Sequence, residues 1–328
     1  MKTVALLFGG KSHEHFISCI SAKSIYEHAN KETYQMDLIG ITKENKWYFY
    51  QDELSYLEDG TWEKHNIKPI LNVLETLKQY DVIFPITHGA YGEDGKLQGL
   101  LEFTNVPYVG GKTLSSAINM DKGINKKLLS FYGIPQVPFV TLKKETPLET
   151  VTSTLTFPVI IKPCNGGSSI GITKANTYQE LKKAITYAFQ YDDEILVEKF
   201  LKVRELECGI LKTDTLLISD IGEILPANDY YDYESKYEKE ESIIKIPAQI
   251  PVRIKKEIQD LANKLFEITK CDSFARIDFF YEEKSGKLYY NEINTLPGFT
   301  SISMYPKLME QKGITYSDLI STLIENAS

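Results

Sequence analysis

Cysteine is scarce and scattered: four residues, Cys19, Cys164, Cys208 and Cys271, in a chain of 328. No two stand in a Cys-x-x-Cys pair, so zinc-ligand spacing is absent, and a chain this long has no need of a disulfide framework. Free thiols in a reducing compartment are the expectation. Long hydrophobic runs are also missing. No stretch approaches the ~18 apolar residues of a membrane span. The opening MKTVALLFGG stops at two glycines and reads as a buried strand and turn, not a signal peptide. A cytoplasmic protein without membrane insertion is expected. Positive charge is in deficit, with 37 basic against 45 acidic side chains and a net charge of −8. That removes the broad electrostatic footprint of a nucleic-acid binder, although a local basic pocket for a nucleotide remains possible. Internal repeats and low-complexity tracts are absent. What is present is an ordinary globular composition, 42% hydrophobic and 25% charged, at a length that suits two domains or three small ones.

The first third has a βαβ rhythm. Residues 3–8 read as a strand ended by Gly9-Gly10, Ile17 to His28 as a helix, and Tyr34 to Ile41 and Asp81 to Ile86 as further strands. A polar loop from His88 leads into another helix, and Val106 to Gly111 reads as a short strand and turn. This pattern predicts an α/β domain with a parallel sheet, whose loops beyond the strand ends bind ligands. A second unit, from about 119 to 205, holds a helix over Asp121–Phe131, a strand over Thr156–Lys162, a helix over Tyr178–Phe189 and a strand over Glu194–Lys199. The last unit runs from about 206 to 328. Its helix carries Ile254, Ile258, Leu261, Leu265 and Ile268 on one stripe.

Two apolar runs around Ser285-Gly286 read as a hairpin. In its simplest register Asp278 faces Glu292, with Arg276 and Asn294 on the same side. Opposed like charges destabilise a sheet unless a cation joins them. Asp278, Glu292 and Asn294 form an all-oxygen set that suits Mg²⁺ and leaves room for phosphates. The loop Gly166-Gly167-Ser168-Ser169-Ile170-Gly171 follows Lys162, offering close backbone approach, two hydroxyls and a positive charge. Glu198 and Lys199 end the next strand, where backbone groups suit an adenine edge, and Glu205 suits ribose hydroxyls. The crowded YDYESKY of 231–237 reads as a lid in which Lys236 reaches phosphate and Tyr237 hydrogen-bonds within the site. Glu14, just before a helix, suits a substrate ammonium, with Ser12 as the helix cap. The segment ALLFGGKS also fits a relaxed phosphate-loop pattern, but its first residues are strand and the usable loop is only Gly9–Ser12. Each of these features alone also fits an ordinary charged loop or hairpin.

Together, in order, GGKSHEHFIS, HGAYGEDGKLQG, MDK, KPCNGGSSIG, EKF with Glu205, YDYESKY, ARID and NEINTLPGFTSISMYP resemble the D-alanine–D-alanine ligase family of ATP-grasp enzymes over nearly the whole chain. The resemblance implies an ATP-grasp fold, two α+β subdomains clasping ATP, preceded by a Rossmann-like parallel α/β domain at 1–118. The subdomains would be 119–205 and 206–328. It implies ligation of two D-alanines through an acyl phosphate for peptidoglycan precursors. Two Mg²⁺ ions, replaceable by Mn²⁺, would sit on Asp278, Glu292 and Asn294. Lys122, Lys162 and Lys236 would contact phosphates, aided by Gly167 and Ser169, and Glu198, Lys199, Leu201 and Glu205 would hold adenine and ribose. Glu14 would take the first ammonium, with His88 nearby and Ser168 and Tyr237 in its hydrogen-bonded set. Arg276 and the Gly298 N–H would stabilise the tetrahedral intermediate, and Ser303 would cradle the second carboxylate. Met304 stands where relatives using D-alanine carry Leu or Met and those using D-lactate or D-serine commonly carry Arg, favouring D-alanine. The region around Trp47 and the lid also resembles D-alanine–D-serine ligases. One departure is Gly166-Gly167, where many relatives have a larger residue. A homodimer through the N-terminal domain is implied by the resemblance alone. A non-catalytic nucleotide-binding regulator on the same scaffold is the rival from another class, and Glu14, Arg276 and Lys236 argue against it.

Overall fold

The computed structural model describes residues 1–167, 170–225, 243–300 and 302–328. The lid reading at 231–237 and the serines at 168 and 169 therefore lie outside the described residues.

Strand β1 (Lys2–Gly9) is a near-continuous apolar run, buried from Val4 onward, as a strand covered on both faces must be. It pairs in parallel with β2 (Tyr34–Ile41) and β5 (Val82–Pro85). The expected parallel sheet is thus only the centre of a mixed one. Strands β3 (Trp47–Tyr50) and β4 (Ile67–Pro69) extend it with antiparallel pairs, in the order β4-β3-β2-β1-β5. The stretch Val106–Gly111 forms one isolated parallel bridge, Ile83 to Tyr108, and not a strand. Helix α1 (His15–His28) begins two residues earlier than its apolar pattern suggested, with Glu14 and not Ser12 at its N-cap.

Two antiparallel sheets follow. One has the order β6-β9-β7-β8, with β6 (Phe139–Lys143), β7 (Val159–Pro163), β8 (Thr173–Ala175) and β9 (Glu194–Lys199). The other has the order β12-β11-β10-β13-β14, with β10 (Arg204–Lys212), β11 (Leu216–Leu225), β12 (Ile243–Lys245), β13 (Phe274–Glu282) and β14 (Lys287–Asn294). Strands β10 and β11 went unread in the sequence because Glu205, Glu207, Asp220 and Glu223 interrupt their apolar runs. The helix Val252–Ile268 covers this sheet and buries Ile254, Ile258 and Leu265. Each such side chain contributes roughly 1.5–3 kcal/mol.

The cores interlock. The core of β1 and α1 also takes in Leu211, Phe274, Phe299 and Tyr305, and Leu319 and Leu323 of the helix Tyr316–Glu325. The helix Lys122–Phe131, capped by Asp121 on the Ile124 N–H, sends Leu129 into the core under the C-terminal sheet. The three sheets are therefore tied at one seam, and the polar residues meet there.

Candidate active site

The hairpin β13–β14 turns at Glu283–Gly286, with Gly286 at φ +68°. Near the turn Glu282 pairs with Lys287 and Phe279 with Tyr290. Carried on unchanged, that register would set Asp278 against Asn291 and turn Glu292 to the opposite face. A β-bulge between Asp278 and Phe279 absorbs one residue, so Asp278 faces Glu292 and Arg276 faces Asn294. The expected pairing is present, and the bulge is its cause.

Glu207 joins this face from β10, directly across from Asp278. Arg276 lies between the carboxylates. Its Nε and one terminal nitrogen each donate to Asp278 at 2.8 Å, and Nε is 2.9 Å from Glu207 Oε2. Burial opposes the guanidinium charge, but Asp278 and Glu207 outweigh it and raise the Arg276 pKa. Asn294 Nδ2 donates to Asp278 Oδ2 at 3.0 Å, which leaves the amide oxygen as the donor a cation would take. Glu292 Oε2 stands 3.8 Å from Lys122 Nζ. Asp278, Glu292 and Glu207 thus face Arg276 and Lys122. The hard oxygen donors of this face fit Mg²⁺.

Lys122 also donates to the Gly166 carbonyl at 2.6 Å, placing its ammonium between the acidic face and the glycine loop. Lys162, at the end of β7, reaches Glu198 Oε2 at 2.7 Å. Lys126 approaches Glu198 Oε1, also at 2.7 Å. Burial alone would raise the Glu198 carboxyl, yet the two ammonium groups hold it down at about 2. The Lys199 side chain is committed elsewhere, donating to the Thr156 and Phe157 carbonyls at 2.8 and 3.0 Å. Leu201 lies two residues beyond the end of β9, and Glu205 sits on β10 on the same face as Glu207.

Glu14 packs where two glycines meet it. A Cβ on Gly167 would lie 2.6 Å from Glu14 Oε2, and one on Gly89 would strike the same oxygen. The glycine loop and the N-terminal domain thus close on one carboxylate, which gives a physical reason for glycine at 167. His88 is buried with both ring nitrogens engaged, Nδ1 with the Leu296 carbonyl at 3.2 Å and Nε2 with Ser21 Oγ at 3.1 Å. Burial lowers its pKa and keeps the ring neutral. Ser303 accepts from the Thr300 N–H at 3.0 Å, and a Cβ on Gly298 would sit 2.9 Å from Ser303 Oγ. Met304 lies in a small apolar cluster with Ile224 and Leu308, its sulfur against Gly222.

The structure thus draws Asp278, Glu292, Asn294, Arg276 and Lys122 together, and Lys162 and Glu198 beside each other. Ser168, Ser169, Lys236 and Tyr237 fall outside the described residues. The phosphate-loop pattern at Gly9–Ser12 has its first amides spent, Gly9 N–H on Ser18 Oγ and Gly10 N–H on the Ile41 carbonyl, each at 2.7 Å. Three polar residues of the seam were missed in the sequence. Glu207 was detectable, since it shares period-two alternation with Glu205. Lys126 was detectable as one turn beyond Lys122. Glu93 lies in the quoted HGAYGEDG segment. It accepts the Gly89 N–H at 2.6 Å, and its carboxyl is pushed up to about 8 by loss of water around it and by Glu14.

Known proteins resemble the chain along its whole length. Residues 3–111 match the model for the D-ala D-ala ligase N-terminus, and residues 128–325 match that for the C-terminus. A D-alanine–D-alanine ligase of Caldicellulosiruptor bescii is 45% identical across 99% of this chain and 94% of its own length. D-alanine–D-alanine ligase B of Clostridium tetani is 43% identical across 99% and 93%. Among solved structures, the VanG D-Ala:D-Ser ligase of Enterococcus faecalis superposes with a TM-score of 0.89 at 37% identity, covering 99% of this chain and 98% of that one. The D-alanine-D-alanine ligase of Coxiella burnetii gives 0.84 at 33%, covering 100% and 95%. With both halves matched and relatives aligned end to end, the chain belongs to the D-alanine–D-alanine ligase family.

Proposed function

We propose that this chain joins two D-alanines into D-alanyl-D-alanine at the expense of ATP, releasing ADP and phosphate, for peptidoglycan precursor synthesis. One observation carries the reading: an oxygen-donor face, Asp278, Glu292 and Asn294 around Arg276, opens toward Lys122 and the glycine loop. ATP lies between the units 119–205 and 206–328. Lys122 and Lys162 meet its phosphates, with Lys236, Gly167 and Ser169 assigned there by motif. Glu198, Leu201, Glu205 and the backbone of Lys199 hold adenine and ribose. Magnesium, or manganese in its place, would be held by Asp278, Glu292 and Asn294 as two ions and would offset phosphate charge.

A carboxylate is a poor electrophile until phosphorylated. The first D-alanine, its ammonium on Glu14 near His88, offers a carboxylate oxygen to the γ-phosphorus and ADP leaves. The amine of the second D-alanine attacks the resulting acyl carbonyl, sheds a proton, and phosphate departs. Arg276 and the Gly298 N–H meet the oxyanion charge that develops there. Ser168 and Tyr237 complete the Glu14 set, and Ser303 receives the second carboxylate. Met304, apolar and without a donor, favours a methyl over a hydroxyl. The unit 1–118 binds substrate and mediates a homodimer, and the enzyme works in the cytoplasm. No helix among the described residues is long and apolar enough to cross a membrane.

The test is D-alanine-dependent release of ADP and phosphate under saturating Mg²⁺, with the product identified by mass. ATP left intact in the presence of D-alanine overturns the assignment. The similarity to a D-Ala:D-Ser ligase structure sustains a second reading. Equal D-alanine and D-serine in competition separates the two by product mass.

A further inference from the structure

Glu198 has one more lysine than it needs. A buried carboxylate is neutralised by one ammonium, yet Lys126 and Lys162 each stand 2.7 Å from one of its oxygens. The triad therefore carries a net positive charge where charge is expensive to bury. The two lysines are not equivalent. The Lys126 side chain is 3% exposed and that of Lys162 is 11%. Lys126 Nζ lies 5.5 Å from the Phe139 ring centre and 5.9 Å from that of Tyr290, enclosed between its helix and the two neighbouring sheets. Lys162 stands at the end of β7, just before the glycine loop. Burial and the second ammonium lower the pKa of Lys126, whereas Glu198 outweighs the burial of Lys162 and raises it.

We infer that Lys126 is a positioning residue for nucleotide binding: it stays behind as the counter-ion of Glu198, so that Lys162 can leave that carboxylate for a phosphate. With Lys126 present, the departure of Lys162 leaves a neutral buried pair. Without it, departure would strand a buried carboxylate, so Glu198 would retain Lys162. The inference rests on the reading that Lys162 meets phosphate.

The experiment uses the full chain in five forms, wild type, Lys126→Met, Lys126→Arg, Lys162→Met and the Lys126→Met/Lys162→Met double variant, and measures the KM for ATP, binding of ADP and of adenosine, and thermal melting. Lys126→Met is expected to raise the ATP KM and weaken ADP at least tenfold, to leave adenosine within about threefold, and to melt no lower than wild type, since a neutral Glu198–Lys162 pair remains. Lys126→Arg keeps the counter-ion and is expected to restore most of the ADP affinity. Lys126→Met and Lys162→Met combined should weaken ADP little more than Lys162→Met alone. Unchanged ADP affinity in Lys126→Met, equal loss for ADP and adenosine, or failure of Lys126→Met to fold each overturns the inference. If Lys162→Met itself leaves ADP binding intact, it is the phosphate role of Lys162 that fails.

Discussion

Replacing Glu198 with Gln removes the carboxylate that Lys126 and Lys162 both meet at 2.7 Å and leaves two buried ammonium groups beside a neutral amide. Removing one member of a buried ionic cluster costs about 3–5 kcal/mol. The pKa gives a similar figure. A carboxyl held at about 2 instead of its ordinary 4.5 corresponds to about 3 kcal/mol. Lys126 can shed its proton in the variant, because burial already lowers its pKa, so the lower end of the range applies. For the units 119–205 and 206–328 melting together, about 3 kcal/mol is a loss of roughly 6–12 °C in melting temperature at pH 7. The pH dependence has a definite sign. The folded-state pKa lies below the unfolded one, so the stabilisation is full above about 4.5 and lost as pH falls toward about 2. Wild type and Glu198→Gln melts should therefore converge as pH drops through that window. Circular dichroism melts at pH 7, 5, 4 and 3 check this. A variant melting within 1 °C of wild type at pH 7, or a gap that stays constant down to pH 3, would refute the account of the triad.

Arg276→Ala should lower kcat by about 10²–10³, the usual loss for one donor to an oxyanion, while ADP binding stays within a few fold; ligation assays and calorimetry check both. Asp278→Asn should raise the Mg²⁺ concentration for half-maximal rate at least tenfold, because Asp278 supplies both oxygens of the Arg276 clamp and a donor of the acidic face. Gly89→Ala sets a methyl against Glu14 at φ +73° and should raise the KM for the first D-alanine about tenfold without moving the KM for ATP. The four cysteines are buried, with their thiols pushed up to about 12 by burial, so native protein should react with a thiol reagent only on unfolding.

Much was legible in advance because it follows from local rules. An apolar run ending in two glycines places β1, the apolar stripe places Val252–Ile268, and Gly286 places the hairpin turn. Other parts resisted because an acidic residue in a strand is ambiguous. Glu207 reads as an interruption until β10 is seen to lie between β11 and β13, where its acidic face meets that of the hairpin. Lys126 and Lys127 look alike in sequence, yet one is buried against Glu198 and the other pairs with the more exposed Glu194.

By itself the sequence determined the family, the order of the chemistry-bearing segments and the residue types of the acidic face. These depend on spacing along one chain, and eight segments in order leave little latitude. Tertiary structure alone decided which oxygen meets which nitrogen. A single bulge sets whether Glu292 faces Asp278, and the seam joining three sheets sets which lysine is sealed in and which stands at the mouth of the glycine loop. Such choices rest on contacts between residues far apart in the chain, and on a burial cost that no local pattern encodes.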